Sequence, residues 1–94
     1  MTGQGAVRAT ATILNKRGLH ARASAKFVET AARFASEVTV TKGDTSVSGR
    51  SIMGLMMLSA PLGSSIELAA QGPDASEAVA ALLALIGAKF HEDA

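Results

Sequence analysis

His20 and Arg22 are the two residues of this 94-residue chain whose types and spacing best suit chemistry. They stand where a polar loop gives way to a helix pattern, and neither Gly18 nor Leu19 before them offers the side-chain oxygen that usually caps a helix. Free backbone N–H groups and the helix dipole favour an anion at such a place. An imidazole there could attack a phosphoryl group, and a guanidinium fork suits phosphate oxygens. The alternative interpretation is a helix cap with one surface histidine and one solvated arginine.

A second informative stretch, residues 50–58, is rich in large apolar side chains. A helix of two turns cannot bury all of them, so if Leu55 and Leu58 face the core, the others fall toward a neighbouring face. Exposed apolar side chains that are grouped together often mark a binding surface, and methionine adapts to several partners. This candidate surface contains Ile52, Met53 and Met56. The alternative is that most of these side chains fill the core of a small domain that is short of aromatic residues.

Ser51 stands directly before this short helix, where its hydroxyl is a good N-cap. The sharper hypothesis is a regulatory phosphorylation site. A phosphate at a helix N-terminus interacts favourably with the dipole, so the fold should tolerate it. It would nevertheless place about −1.5 to −2 charges beside the candidate surface. Such a change would switch binding rather than folding.

The composition excludes several other functions. The net charge is +1 and the only aromatic residues are three phenylalanines, so we expect no nucleic-acid surface. There is no cysteine and the two histidines are far apart, which argues against disulfides and metal sites. No P-loop, dinucleotide fingerprint or nucleophile elbow is present, so no cofactor is predicted. His91, near the chain end between other polar residues, is expected to be inert.

The apolar stretches do not predict membrane insertion. Residues 1–5 are polar and glycine-rich, without the apolar centre of a signal peptide. The longest apolar run, residues 78–88, is shorter than the ~20 residues that span a bilayer. We therefore expect a cytoplasmic protein that consists of a single domain, residues 1–94.

Hydrophobic periodicity predicts four strands and three helices in the order β-α-β-β-α-β-α. Alternation of apolar and polar residues predicts strands at residues 7–14, 37–42, 45–48 and 65–70. Apolar residues at helical spacing predict helices at residues 21–35 and 52–58 and a last helix after Asp74, whose spacing to Glu77 is that of a capping box. The apolar stripe of that helix is Val79, Leu82, Leu83, Ile86 and Phe90, and residues 91–94 are predicted to fray. These elements predict an α+β fold with helices on one face of a mostly antiparallel sheet.

Two motifs in this chain resemble one known family. Residues 18–22 (Gly-Leu-His-Ala-Arg) resemble the active-site motif of the histidine-containing phosphocarrier proteins, HPr, of the bacterial phosphoenolpyruvate-dependent phosphotransferase system. Residues 49–54 (Gly-Arg-Ser-Ile-Met-Gly) resemble the regulatory serine motif of that family. Both motifs occur in the family's order and at about its spacing, and the similarity runs from about Arg8 to Ala88. The resemblance implies an open-faced β-sandwich, a four-stranded antiparallel sheet with three helices on one face.

The resemblance also implies roles for individual residues. His20 would accept a phosphoryl group on Nδ1 from enzyme I and pass it to an enzyme IIA protein, and Arg22 would stabilise the phosphoryl oxygens. Ser51 would be the target of an ATP-dependent HPr kinase/phosphorylase. The partner-binding residues would be Ala21, Phe27, Arg50, Ile52, Met53 and Met56. Such a protein is a stoichiometric carrier rather than an enzyme, and we expect it to be a monomer.

One position departs from the family pattern, because Ala23 stands where most members have proline. Alanine favours the helix and can adopt the same conformation, so we expect a working site with a less rigid first turn.

Two alternatives to a sugar-uptake carrier stay open at this point. One is a regulatory HPr-like module of the nitrogen-related branch, whose main output is phospho-dependent protein binding. The other is a small α/β interaction domain that is unrelated to phosphate. The residues themselves do not separate the sugar-uptake branch from the nitrogen-related branch.

Overall fold

The computed structural model describes residues 6–92, and its four strands and three α-helices follow the predicted order. The strands are β1 (Val7–Thr12), β2 (Glu37–Lys42), β3 (Thr45–Ser48) and β4 (Ser65–Gln71). The helices are α1 (Ala21–Ala31), α2 (Ile52–Met57) and α3 (Ala75–Gly87), and a 3-10 turn, Lys89–His91, follows α3. None of the helices in the described part of the chain is long and apolar enough to cross a membrane.

The four strands form one antiparallel sheet in the order β1-β4-β2-β3. Leu68 of β4 lies opposite Ala9 of β1 on one side and Val40 of β2 on the other. Because side chains alternate along a strand, this register places the apolar residues of the three strands on the same face. That face is covered by the helices and the other is exposed, so the α+β open-faced β-sandwich is confirmed.

The core is aliphatic, with two buried phenylalanines. Phe27 of α1 and Phe90 of the 3-10 turn are fully buried. They pack with aliphatic side chains from the sheet and from the other two helices, which include Val40, Leu55, Ile66, Leu68 and Leu82. Leu55 and Leu58 are buried, so the condition for an exposed apolar side of α2 is met, whereas Leu83 of the predicted stripe is 36% exposed.

The end of α1 differs from the prediction, because the helix stops at Ala31 rather than at Ala35. The backbone N–H groups of Ala35 and Ser36 instead donate to the carboxylate of Asp74. Asp74 precedes α3 but its side chain makes no capping bond to that helix, so the predicted capping box is wrong. A carboxylate bound to donors of the segment after α1 is not available to the start of α3.

The end of the chain also differs from the prediction of a frayed tail. After α3 the backbone enters the left-handed region at Lys89, Phe90 and His91, and this turn buries Phe90 against the core. Glu92 follows and makes hydrogen bonds to residues near the start of the chain. The remaining positions of the predicted tail, 93–94, lie outside the described residues, as do residues 1–5.

Candidate functional site

The loop before α1 fixes the position of His20. Gly18 has a positive φ of 65°, and its backbone N–H donates to the carbonyl of Asn15 at 3.1 Å. Leu19 is buried, and its N–H donates to the carbonyl of Ala60 at 3.0 Å. Because glycine adopts a positive φ without strain, the chain turns sharply here and places His20 at the first position before α1.

His20 itself caps α1. Its backbone is extended (φ −75°, ψ −178°), and its Nδ1 accepts a hydrogen bond from the backbone N–H of Arg22 at 3.2 Å. No side-chain oxygen caps α1, as the sequence indicates, but the helix start is not uncapped, because the imidazole takes the place of the usual serine or aspartate. The cap and the chemical role are not alternatives here. The same nitrogen that caps the helix holds a lone pair beside its N-terminus.

The other ring nitrogen of His20 is bound by a carboxylate. Nε2 lies 2.5 Å from Oε2 of Glu92, with both side chains partly buried. Since Nδ1 accepts a bond from an N–H group and Nε2 faces a carboxylate, the partners assign the proton to Nε2. The unprotonated nitrogen, which is the nucleophilic one, is then Nδ1.

Asn15 holds Glu92 in this orientation. Its side chain is fully buried, and Nδ2 donates to Oε1 of Glu92 at 3.1 Å and to the carbonyl of Gly18 at 2.8 Å. Burial alone raises the pKa of Glu92, but the hydrogen bonds from His20 and Asn15 outweigh it and hold the pKa below its ordinary value. Glu92 is therefore an ionised acceptor at neutral pH.

The imidazole lies at the edge of an open cleft of about 490 Å³. Apart from His20 and the paired Glu92, the residues that line it are basic, and they are Lys16, Arg17, Arg22, Lys26 and His91. Positive side chains around a helix N-terminus attract anions, and the planar guanidinium of Arg22 suits phosphate oxygens. The cleft beside His20 therefore favours an anion such as a phosphoryl group.

Ser51 is the N-cap of α2, as predicted. Its hydroxyl accepts a hydrogen bond from the backbone N–H of Gly54 at 2.9 Å, and the residue is partly exposed. The neighbouring Arg50 is exposed, and its Nη2 donates to the carbonyl of Phe34 at 2.7 Å. This bond ties the segment before α2 to the segment after α1. The hydroxyl of Ser51 thus sits at a surface helix start that the fold holds in place.

The exposed apolar surface of α2 is present in the structure. It comprises Ile52, Met53 and Met56, which the sequence predicted, and Met57, which it did not, and Met53 and Met57 are 70% and 74% exposed. Ala21 at the start of α1 is also exposed. We call the four residues of α2 the methionine surface. Within the described residues, 6–92, its side chains remain open to solvent, which leaves the surface available to a partner.

Phe27 does not belong to this surface, and its predicted role in partner binding is wrong. The side chain is 0% exposed, and together with Ala23 and Ala31 it forms the inward face of α1. These three residues are spaced at four, which places them on one side of a helix. A phenylalanine on that side is buried because it supplies much of the apolar area of a core that has few aromatics.

His20 and the methionine surface are linked through the chain that leaves α2. Ser59, Ala60 and Pro61 line a second, shallower cleft together with Leu19 and His20. Helix α1 also packs directly against α2. The fold therefore brings the two sequence motifs to adjoining parts of the surface, although about 30 positions of sequence separate them.

Sequence reasoning missed two residues of this site, Asn15 and Glu92. By sequence Asn15 belongs to the polar loop before α1, and Glu92 belongs to the tail that is predicted to fray. The one available signal was Phe90, because an apolar residue that continues the stripe of the last helix must return the chain to the core. His91, the next residue after Phe90, also lines the cleft of about 490 Å³. The histidine that Glu92 binds is His20.

Comparisons with known proteins identify a matching family and similar structures. The family model described as the PTS HPr component phosphorylation site matches residues 7–88. The phosphocarrier protein HPr of Neisseria meningitidis serogroup A is 59% identical over 80 residues, which are 85% of this chain and 90% of the relative. The crystal structure of HPr-C-His from Thermoanaerobacter tengcongensis superposes with a TM-score of 0.89 at 44% identity and covers 94% of this chain and 99% of its own. A structure described as an HPr dimer from that organism superposes with a TM-score of 0.74 at 43% identity, over 98% of this chain and 100% of its own.

Proposed function

The chain belongs to the HPr family of phosphocarrier proteins of the phosphotransferase system, and from this premise we propose that His20 is its phosphoryl acceptor. A member of this family is a carrier rather than an enzyme. We propose enzyme I as the donor and enzyme IIA proteins as the next acceptors, in the cytoplasm. The observation that carries the proposal is the arrangement of the ring, in which Nδ1 faces the start of α1 while Nε2 is held by Glu92.

The proposed transfer is a single displacement. Nδ1 gives up its hydrogen bond from the Arg22 N–H, and its lone pair forms a bond to phosphorus. The bond from phosphorus to the donor nitrogen breaks, and that electron pair stays on the donor. The proton on Nε2 stays where it is, so His20 needs no general base. Arg22 and the backbone N–H groups of the first turn of α1 would bind the phosphoryl oxygens. Transfer to enzyme IIA reverses these steps with a different ring as acceptor.

The decisive experiment is phosphorylation by phosphoenolpyruvate and enzyme I, followed by intact-mass measurement with and without acid treatment. We expect one acid-labile phosphate on the wild-type chain and on His91→Ala, and none on His20→Ala. The His91→Ala variant is a matched control, because it removes the other histidine of the same cleft. A phosphate that persists in His20→Ala contradicts the proposal. Discharge by a sugar-specific or a nitrogen-related enzyme IIA then distinguishes the two branches.

We also propose that Ser51 is the target of an HPr kinase/phosphorylase. The partly exposed hydroxyl at the start of α2 supports this, because a phosphate there would face the positive end of the helix. Incubation with the kinase and ATP should add one acid-stable phosphate to the wild-type chain and none to Ser51→Ala. The control Ser48→Ala, a nearby exposed serine, should be modified as the wild type is. Modification of Ser51→Ala would place the site elsewhere.

The methionine surface is the proposed docking site for these partners, together with Ala21 and Arg50. Its support is the exposure of four large apolar side chains on a helix whose chain continues to the edge of His20. Because this surface must stay accessible to successive partners, we propose that the protein functions as a monomer. Light scattering during size exclusion should give the monomer mass at micromolar concentration. A stable dimer, as in the HPr dimer described for the relative, would contradict that part of the proposal.

A further inference from the structure

We propose that Glu92 is a positioning residue for phosphoryl transfer, whose carboxylate is delivered by the C-terminal turn to hold the Nε2 proton of His20. The inference rests on the proposed role of His20 as acceptor. Glu92 lies 72 positions after His20 in the sequence and is not part of the motif around that histidine.

Both oxygens of the Glu92 carboxylate are engaged by different donors. Oε2 lies 2.5 Å from Nε2 of His20, and Oε1 accepts from Nδ2 of Asn15 at 3.1 Å. The side chain of Glu92 is only 12% exposed and that of His20 is 23% exposed. Since Asn15 is itself fully buried and bound to the Gly18 carbonyl, the carboxylate is tied to the same loop that positions the imidazole. The loop, the carboxylate and the ring therefore form one connected unit.

The turn that carries Glu92 has an unusual backbone. Lys89, Phe90 and His91 have φ values of 57°, 56° and 59°, and none of them is a glycine. Consecutive left-handed residues are unfavourable for L-amino acids and persist only where the surroundings impose them. Two anchors do so here, because the Phe90 side chain is fully buried and its carbonyl accepts a hydrogen bond from Nζ of Lys26 at 2.6 Å. The strained turn ends with Glu92 at the imidazole.

The bond to Glu92 determines which nitrogen of the His20 ring carries the proton. With the proton held on Nε2, Nδ1 carries no proton, and its lone pair accepts the 3.2 Å hydrogen bond of the Arg22 N–H, which must break when Nδ1 bonds to phosphorus. When Nδ1 forms its bond to phosphorus and the donor bond breaks, the ring keeps the Nε2 proton and becomes positively charged. The carboxylate of Glu92 offsets that charge. Glu92 contacts neither phosphorus nor its oxygens, so it acts through the orientation and protonation of the ring.

The test compares Glu92→Gln and Glu92→Ala with the wild type by two measurements. The first is the ¹⁵N NMR shifts of the His20 ring at mildly alkaline pH, which report which nitrogen carries the proton. The second is the rate of phosphoryl transfer from enzyme I. We expect the wild type to show a protonated Nε2 and an unprotonated Nδ1. In Glu92→Ala the two shifts should move toward each other, because only the Arg22 N–H bond to Nδ1 then favours the proton on Nε2. Transfer should slow about tenfold, the lower end of the loss found when the orienting partner of a metal-bound histidine is removed.

Glu77→Gln is the matched control, because Glu77 is an exposed acid on α3, away from the residues that line the cleft. It should leave both the ¹⁵N shifts and the rate unchanged. Glu92→Asp keeps the carboxylate and should recover part of the rate that Glu92→Ala loses. Glu92→Gln keeps the length of the side chain, so its effect on the ring shifts separates the charge from the packing of the turn.

Unchanged shifts and rates in both Glu92→Gln and Glu92→Ala would overturn the inference, and wild-type phosphorylation on His20 would then still support the proposed function. Failure of the wild type to accept phosphate on His20 would contradict the proposed function instead. In that case the ¹⁵N shifts still decide whether Glu92 fixes the proton on the ring.

Discussion

The carboxylate of Asp74 accepts hydrogen bonds from the hydroxyl of Ser36 at 2.6 Å and from its backbone N–H at 2.9 Å, across 38 residues of sequence. The hydroxyl of Ser36 in turn accepts a bond from the backbone N–H of Asp74 at 3.1 Å. The other carboxylate oxygen accepts from the N–H of Ala35. These bonds join the segment after α1 to the start of α3. The hydrogen bond from the Ser36 hydroxyl is the main cause that holds the pKa of Asp74 below its ordinary value of 3.8.

We therefore predict that Asp74→Ala lowers the unfolding temperature at neutral pH, and that the difference from the wild type becomes smaller in acid. A carboxyl group whose pKa is lower in the folded state contributes its full stabilisation above its unfolded pKa, near 3.8. The contribution is lost as the pH falls through the lower folded pKa. Thermal unfolding followed by circular dichroism across this range measures the effect. Asp44→Ala, in the exposed β2–β3 turn, is the control, and an equal loss in both variants would refute the prediction.

Gly18 is predicted to tolerate no side chain. It has a positive φ, and an added Cβ would lie 2.3 Å from the carbonyl oxygen of Ala60. Gly43 also has a positive φ of 59°, but a Cβ added there would meet no described atom within 4 Å. Gly43→Ala should therefore cost about 1–2 kcal/mol from backbone strain alone. Gly18→Ala should cost more than that and should also slow phosphorylation of His20, because the loop must shift.

Urea unfolding of the two glycine variants, beside the transfer rate from enzyme I, checks this prediction. Equal destabilisation of the two variants would mean that the loop before His20 can move away from Ala60 at little cost.

Alanine substitutions at Phe27 and Met53 are predicted to have different effects: the first lowers stability and the second weakens partner binding. Phe27→Ala should lower the free energy of unfolding by about 3–5 kcal/mol, because it empties a fully buried site in a core with few aromatics. Met53 is 70% exposed, so Met53→Ala should change stability by less than about 0.5 kcal/mol. It should instead raise the concentration of carrier that enzyme I needs for half-maximal transfer.

Chemical unfolding and transfer kinetics on both variants test this pair. A Met53→Ala variant with wild-type kinetics at limiting carrier concentration would exclude Met53 from the docking site.

Ser51 is predicted to stabilise α2 through its cap. Ser51→Ala removes the acceptor of the Gly54 N–H bond and should cost about 0.5–2 kcal/mol. Ser51→Asp keeps an acceptor at the same position and adds a negative charge at the helix start, so its stability should stay close to that of the wild type. The added charge lies beside Met53 and should slow transfer from enzyme I. Unfolding curves and transfer rates for the two variants distinguish the cap from the charge, and a Ser51→Asp variant as unstable as Ser51→Ala would contradict the capping role.

Local features of the chain were predictable because the residues that produce them are neighbours in sequence. The alternation in residues 37–42 and 45–48 predicted β2 and β3 with their observed bounds. Ser51 was recognised as a cap because a helix start needs an oxygen within one turn. The exposure of Ile52, Met53 and Met56 followed from the geometry of a two-turn helix that has only one buried side. The family motifs around His20 and Ser51 likewise lie within short stretches.

Neighbouring residues in the sequence do not determine which distant side chain binds to a given site. The sequence alone placed His20 at the start of a helix and identified the chemistry of an imidazole beside an arginine. Only the tertiary structure decided that Glu92 binds Nε2 and that Asp74 binds the segment after α1 rather than capping α3. Each of these depends on how α1 and α3 pack on the sheet, because that packing sets which residues separated by tens of positions come within hydrogen-bond distance. Which ring nitrogen of His20 faces a carboxylate and which faces the start of α1 is therefore a property of the fold.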